Sequence, residues 1–254
     1  MRESASWQQL KSHYQMFNFF GNNNKELEKA RLELIESLKN GSIGYLLHQM
    51  NSREIYSPLL TEKRKTQISS TDDISWYAYR RAEELNSPRE KQALIDQLNP
   101  TADDTRKHHI YFCLAHYCKN TIDNSLFNFL MDRLEAEKDK QCKLSILIGI
   151  ADMPKDATLN IEPLKKLTKI RNRDLKINSI IALQKTHDKE VEALLLSIFV
   201  ETKNSHTKSM ITYTLATTGT RKSVPFLKEA YKKTRDYQLR SAIETTIEKI
   251  KDRE

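Results

Sequence analysis

The chain has 254 residues, with 42 Lys plus Arg against 34 Asp plus Glu, and only 5 Gly, 6 Pro and 3 Cys. That length makes one large domain or two small ones, and the scarcity of Gly and Pro speaks for helices over a loop-rich β-sandwich. No apolar run approaches the roughly 18–20 residues that cross a bilayer, and no apolar stretch near the start resembles a secretory signal, so a cytoplasmic protein with no membrane partner is expected.

Residues 1–60 read as an irregular helical region. Trp7, Leu10, Tyr14 and Phe17 share one helical face, and Gly21 with Asn22 to Asn24 interrupts it. In the next segment Asn24 is a candidate N-cap, Gly41 a stop, and Leu27, Ala30, Leu34 and Leu38 the buried stripe. A short third helix holds Tyr45, Leu46, Leu47 and Met50. Residues 61–73 are polar and without periodicity, which predicts a linker or exposed loop. Asp72 and Asp73 then precede a helix carrying Trp76.

From residue 74 to 254 the chain repeats itself. EPLKKLTKIRNRD (162–174) parallels VPFLKEAYKKTRD (224–236), pairing Pro163 with Pro225, Arg173 with Arg235 and Asp174 with Asp236. Proline in a first helical turn loses no hydrogen bond, and each closing Asp can cap the next helix. A basic–Asp/Asn pair thus recurs at 138/139, 173/174, 203/204 and 235/236. A second column places Leu114, Ile148, Leu183, Leu215 and Ile247 in equivalent interior positions. Seven residues before each stand Lys107, Gln141, Lys176, Lys208 and Arg240. Each unit is a helical hairpin of about 30–35 residues that buries its apolar stripe only against its neighbours.

These paired helices, with proline opening the first, Asp at the turn and a basic residue early in the second, resemble HEAT-like (armadillo-type) repeats over roughly residues 74–250. Tetratricopeptide repeats share the period but want a Trp, Gly, Tyr and Ala signature that cannot be placed here. The resemblance implies an all-α solenoid of about five hairpins behind the N-terminal region. It also implies an internal ladder of Asp139, Asp174 and Asp236 with Lys176, Lys208 and Arg240, coupling for instance Asp174 to Lys208. The aromatic cluster Trp7, Tyr14, Phe17, Phe19 and Phe20 suits either a cap on the first hairpin or an anchor for a partner.

Charge divides the chain: residues 1–104 hold 14 basic and 15 acidic groups, residues 105–254 hold 28 and 19. The basic excess lies on the repeats, notably Lys165, Lys166, Lys169, Arg171 and Arg173, then Lys228, Lys232, Lys233 and Arg235. Such a series could follow a phosphate backbone, whereas a solvated outer face explains most of the lysines. The sequence HHIYFCLAHYC (108–118) sets His109, Cys113 and His116 on one side of a helix, with Cys142 in register on the next. Zinc ligation is one reading and core packing the other; the small position of Cys113 among Leu147, Ala182 and Thr214 favours packing. HEAT-like DNA glycosylases use paired tryptophans followed by Asp, whereas Trp7 and Trp76 stand alone. No nucleophile elbow, phosphate loop or HExxH occurs, so no catalytic residue, metal or cofactor is expected.

The function that fits best is a non-catalytic scaffold presenting its inner helices to another protein. The expected contact residues are Lys107, Tyr111, Lys176, Ile180, Lys208, Thr212, Arg240 and Glu244. A protein that binds a nucleic-acid backbone through the basic repeats is the alternative.

Overall fold

A computed structural model describes residues 24–61, 67, 69–98, 104–186 and 188–253. Among these, extended pairing is confined to two isolated bridges, Ile55 with Asp73 and Lys155 with Thr186, and the fold is all-α. The chain divides into two compact units, one ending at Ala82 and the other beginning at Glu83. Trp7, Leu10, Tyr14, Phe17, Phe19, Phe20 and the break at Gly21 lie outside the described residues.

The first unit opens with α1 over 24–40. Leu38 is its buried residue, Leu27, Ala30 and Leu34 are half-buried, and Gly41 donates its amide to the Ser37 carbonyl where the helix stops. Helix α2 (Ile43–Met50) is capped by Ser42, which accepts from the Tyr45 amide, and buries Leu46, Leu47 and Met50. Residues 70–72 make a 3-10 turn before α3 (Ile74–Glu83). There Tyr77 is packed edge-on by Tyr56 at 5.6 Å and Trp76 at 4.9 Å.

The second unit is built of helix pairs. They are α4 (Pro88–Gln97) with α5 (Asp104–Thr121), α6 (Asn124–Ala136) with α7 (Lys140–Ile150), and α8 (Glu162–Leu167) with α9 (Arg173–Ala182). Then follow α10 (Lys189–Glu201) with α11 (Ser205–Thr218) and α12 (Ser223–Lys233) with α13 (Tyr237–Arg253). The second helices pack on one another in order, α5 on α7, α7 on α9, α9 on α11 and α11 on α13. The first helices form a looser parallel row, with α6 against α8 and α10 against α12. Five hairpins stacked on their neighbours are the architecture expected of the repeat.

The caps of the second helices set the register. Asp139, Asn172, Asn204 and Asp236 each accept from the amide three residues on, at 2.7–3.2 Å. These caps are spaced by 33, 32 and 32 residues. The cap of α9 is therefore Asn172 and not Asp174, which sits one place inside the first turn of that helix. With Asn172 as the cap, the columns expected from sequence move by two places in one unit. The aliphatic column becomes Ile150, Leu183, Leu215 and Ile247, the first three buried and Ile247 half-buried, whereas Ile148 is half-exposed. The basic column, four residues after each cap, becomes Lys143, Lys176, Lys208 and Arg240, with Lys143 in place of Gln141.

Ten residues after each cap lies a small side chain: Gly149, Ala182, Thr214 and Thr246, all buried. It faces the preceding second helix. A Cβ built on Gly149 would stand 2.4 Å from the Ala115 Cβ. The Thr214 hydroxyl donates to the Ile180 carbonyl at 3.0 Å, and Thr246 donates to the Thr212 carbonyl at 3.1 Å. Small residues let the helices approach, and the hydroxyls satisfy themselves on backbone carbonyls. Glu192, buried on α10, ties the next hairpin by accepting from the Thr220 amide at 2.8 Å and the Ser223 hydroxyl at 2.5 Å.

Charged links between units differ from the expected ladder. Asp174 pairs with Lys140 of the preceding hairpin at 2.5 Å, Asp236 accepts from the Ser205 hydroxyl, and Asp139 caps its own helix. Lys208 does not bridge to Asp174. On the first-helix row Lys91 reaches Asp123 at 2.8 Å and Lys166 reaches Glu135 at 2.6 Å. Burial pushes the Asp123 carboxyl up, but Lys91, the Leu126 amide and the Ser125 hydroxyl outweigh it and hold the group down at about 2. A folded value below the unfolded ~3.9 stabilises above that pH, and the benefit disappears as pH falls towards 2. Its side chain is 17% exposed, so roughly 2 kcal/mol is at stake. Asn retains the cap without the charge. Asp123→Asn is therefore expected to flatten the difference in denaturant-measured stability between pH 5 and pH 2 relative to the parent chain.

Candidate interaction surfaces

The eight residues expected on the inner-helix face fall into different surroundings. Tyr111, Ile180 and Thr212 are buried in the packing between units, and the carbonyls of Ile180 and Thr212 receive the seam threonines. They offer no contact area to a partner. Tyr111 has its hydroxyl pushed up to about 12 by burial and by the nearby Glu137. Lys107 is half-buried and 3.8 Å from Glu137. Lys208 lies over the Phe199 ring at 5.2 Å and Arg240 over the Tyr231 ring at 4.6 Å. The two pairs recur 32 residues apart, so in the last two units the basic column stacks on the first helix of its own hairpin. Lys176 is half-buried, and Glu244 is exposed.

The surface-facing side of the second helices is found nine residues after the caps. Ile148 is 50% exposed and Tyr213 52% exposed, with half-buried Ile181 between them in the same register. Nine and four residues after a cap differ by about 140° around a helix, which separates this stripe from the basic column that stacks on the first helices. Helices α7, α9 and α11 are consecutive in the row, so the stripe continues from unit to unit at helix spacings of roughly 8–10 Å. The sequence does carry a signal for it, an apolar residue nine places after Asp139, Asn172 and Asn204, giving way to Thr245 in the last unit. With Ile148 counted in the interior column, the pattern does not show.

The expected nucleic-acid cations are only partly available. Lys165 is held by Glu162, Asp188 and Glu190, each at 2.9 Å; burial pulls its ammonium down, and these carboxylates more than restore it. Lys166 pairs with Glu135 and Lys233 with Glu229. Lys169, Arg171, Arg173, Lys228, Lys232 and Arg235 are exposed. Most of these cations stand in or beside the turn from first to second helix, along one edge of the unit.

His109, Cys113, His116 and Cys142 are buried between α5 and α7. Burial pushes the Cys142 thiol up, as does the Asp139 carboxylate, and burial drives Cys118 to about 12. Such thiols stay protonated and pack as small apolar groups. Among the described residues no group of three or more His, Cys, Asp or Glu is arranged to hold a metal ion, and no helix is long and apolar enough to cross a membrane.

Residues 161–248, from α8 into α13, match the family model for HEAT repeats. Among solved structures the chain is similar to a designed armadillo repeat protein in complex with peptide (KR)4. The two are 11% identical with a TM-score of 0.47, over 83% of this chain and 100% of that one. No curated protein matches the chain.

Proposed function

Taking as premise that this is a HEAT/armadillo-like helical repeat protein, we propose that it is a non-catalytic scaffold that binds another protein through its second-helix row. The observation that carries this reading is the repeated apolar stripe of Ile148, Ile181 and Tyr213. Ordinary solvated helices place polar residues at such positions, whereas aromatic and aliphatic side chains exposed in register make anchors for a partner. Of the residues expected from sequence, Glu244 is exposed on the last helix of that row, whereas Lys176 belongs to the basic column on another side of its helix.

The second reading, binding of a nucleic-acid backbone, rests on the exposed turn cations Arg171, Arg173 and Arg235 with Lys169 and Lys232. One experiment separates the two. The tagged full chain and an Ile148→Glu, Tyr213→Glu double variant are used as baits, each with and without nuclease. Both replaced side chains are exposed, so the variant is expected to melt within a few degrees of the parent. It is expected to recover at least tenfold less of the partner, with no effect of nuclease. Undiminished recovery by the variant rejects the stripe as the contact. Partners lost on nuclease treatment transfer the assignment to the cationic edge.

A further inference from the structure

On the opposite row, α10 and α12 leave a cleft between them. One cavity of about 580 Å³ opens beside Lys189 and Lys222, and another of about 520 Å³ beside Lys203 and Arg235. Both are lined by Phe226, so they adjoin at that ring and lie end to end as a groove beside α10. The floor is apolar: Ala193 and Leu196 lead to Phe226, then Val200 and Ala230. Phe226 is 49% and Val200 67% exposed, an amount of apolar surface that a solvated helix face does not need. Helix α10 has 13 residues, so the groove is roughly 20 Å long.

Its charge is one-sided. Seven basic side chains line the two cavities against three acidic ones, and each acid is already engaged. Glu192 accepts from Thr220 and Ser223, Glu229 pairs with Lys233 at 3.0 Å, and Asp236 accepts from Ser205 and the Leu239 amide. The cations concentrate at the two ends and the apolar floor lies between them. A phosphate backbone would want charge along the whole track and no greasy floor. An amphipathic helix wants an apolar groove, and its acidic residues want cationic ends.

We propose that the α10–α12 groove is a docking site for an amphipathic helical peptide with an apolar centre and acidic residues at both ends. The length of the floor accommodates about 13 residues of helix at 1.5 Å rise. This site is separate from the Ile148–Tyr213 stripe, and either assignment can fail without the other.

The probe is a synthetic helix-forming peptide of about 15 residues with Leu and Phe on one face and glutamates at both ends. It is titrated against the isotope-labelled full chain up to millimolar concentration, with fluorescence anisotropy for affinity. Amide shifts are expected at Val200, Phe226 and Ala230, and affinity is expected to fall as salt rises. Val200→Glu and Phe226→Glu each replace an exposed side chain, so a matching melting temperature shows that they fold. Each is expected to weaken binding at least tenfold, as is the Lys203→Glu, Arg235→Glu pair, whereas Ile148→Glu, Tyr213→Glu is expected to leave it unchanged. A peptide with lysines at both ends binding equally well overturns the proposal. So does an absence of shifts at Val200 and Phe226, or a single-stranded oligonucleotide that outcompetes the peptide and is indifferent to Phe226→Glu.

Discussion

Gly149→Val is expected to lower the unfolding free energy of the repeat unit by about 3 kcal/mol, at the upper end of the cost of overpacking a core. The contact responsible is the α5–α7 seam. A Cβ at residue 149 meets the Ala115 Cβ at 2.4 Å and, at 3.1 Å, both the Ala115 carbonyl carbon and the His116 amide nitrogen. Two of these are backbone atoms, so the helices themselves have to separate. Around the seam Cys113, Leu114, Ile146, Leu147 and Ile150 have no exposed surface, and moving them apart loosens packing along its whole length. Gly149→Ala gains about 1 kcal/mol of helix propensity and is expected to cost less. Combining Gly149→Ala with Ala115→Gly removes the nearest clash, and urea unfolding of the four chains in that cycle should give a coupling of at least 0.5 kcal/mol. An unchanged urea midpoint for Gly149→Val contradicts the close approach.

Lys155→Ala is expected to be comparably damaging, at about 4 kcal/mol, because it strands buried acceptors and leaves a cavity. Lys155 is fully buried. Its ammonium donates to the carbonyls of Ile150 at 3.1 Å, Ala151 at 3.3 Å, Met153 at 2.7 Å and Gln184 at 3.2 Å. The first two end α7, where backbone carbonyls lack helical partners and the dipole favours a cation. The Gln184 carbonyl belongs to the segment just after α9. One side chain therefore closes two helix ends in successive hairpins, and the Lys155 amide adds a bond of 2.9 Å to the Lys185 carbonyl.

Burial also pushes the Lys155 ammonium down to about 7, from about 10.4 in an unfolded chain. Between those values the unfolded state binds more protons, so this residue makes the fold more stable as pH rises from 7 towards 10. Lys155→Met supplies the control, filling much of the space without titrating. The stability of the parent relative to Lys155→Met, measured by denaturation across that range, is expected to grow with pH. A flat difference places the amine at its ordinary value.

The repeat was legible in the sequence because caps must be Asp, Asn, Ser or Thr to accept an amide, and such residues recur here at a nearly constant interval. Asp139, Asn204 and Asp236 could be read directly. Residue 172 could not, because Asn172 and Asp174 are both competent caps and Asp174 aligns with Asp236 in the parallel stretch of sequence. That two-place slip placed Ile148 in the core and Gln141 in the basic column, where the fold has Ile150 and Lys143. The contact residues were less legible. Spacing alone does not tell which side of a second helix meets its own hairpin, and only the stacking of Lys208 on Phe199 and Arg240 on Tyr231 reveals it. The groove between α10 and α12 was beyond reach, since it comes from two helices some thirty residues apart packing loosely.

Helices α8 and α9 have 6 and 10 residues, the shortest pairing among the five, and α9 packs less closely on either side than α5 does on α7 or α11 on α13. Since neighbours carry the load in series in such a stack, compliance concentrates there. This five-hairpin stack gives most at its third hairpin, like a spring with one soft coil, so a rigid ligand lying across all five turns would spend its binding strain at that coil.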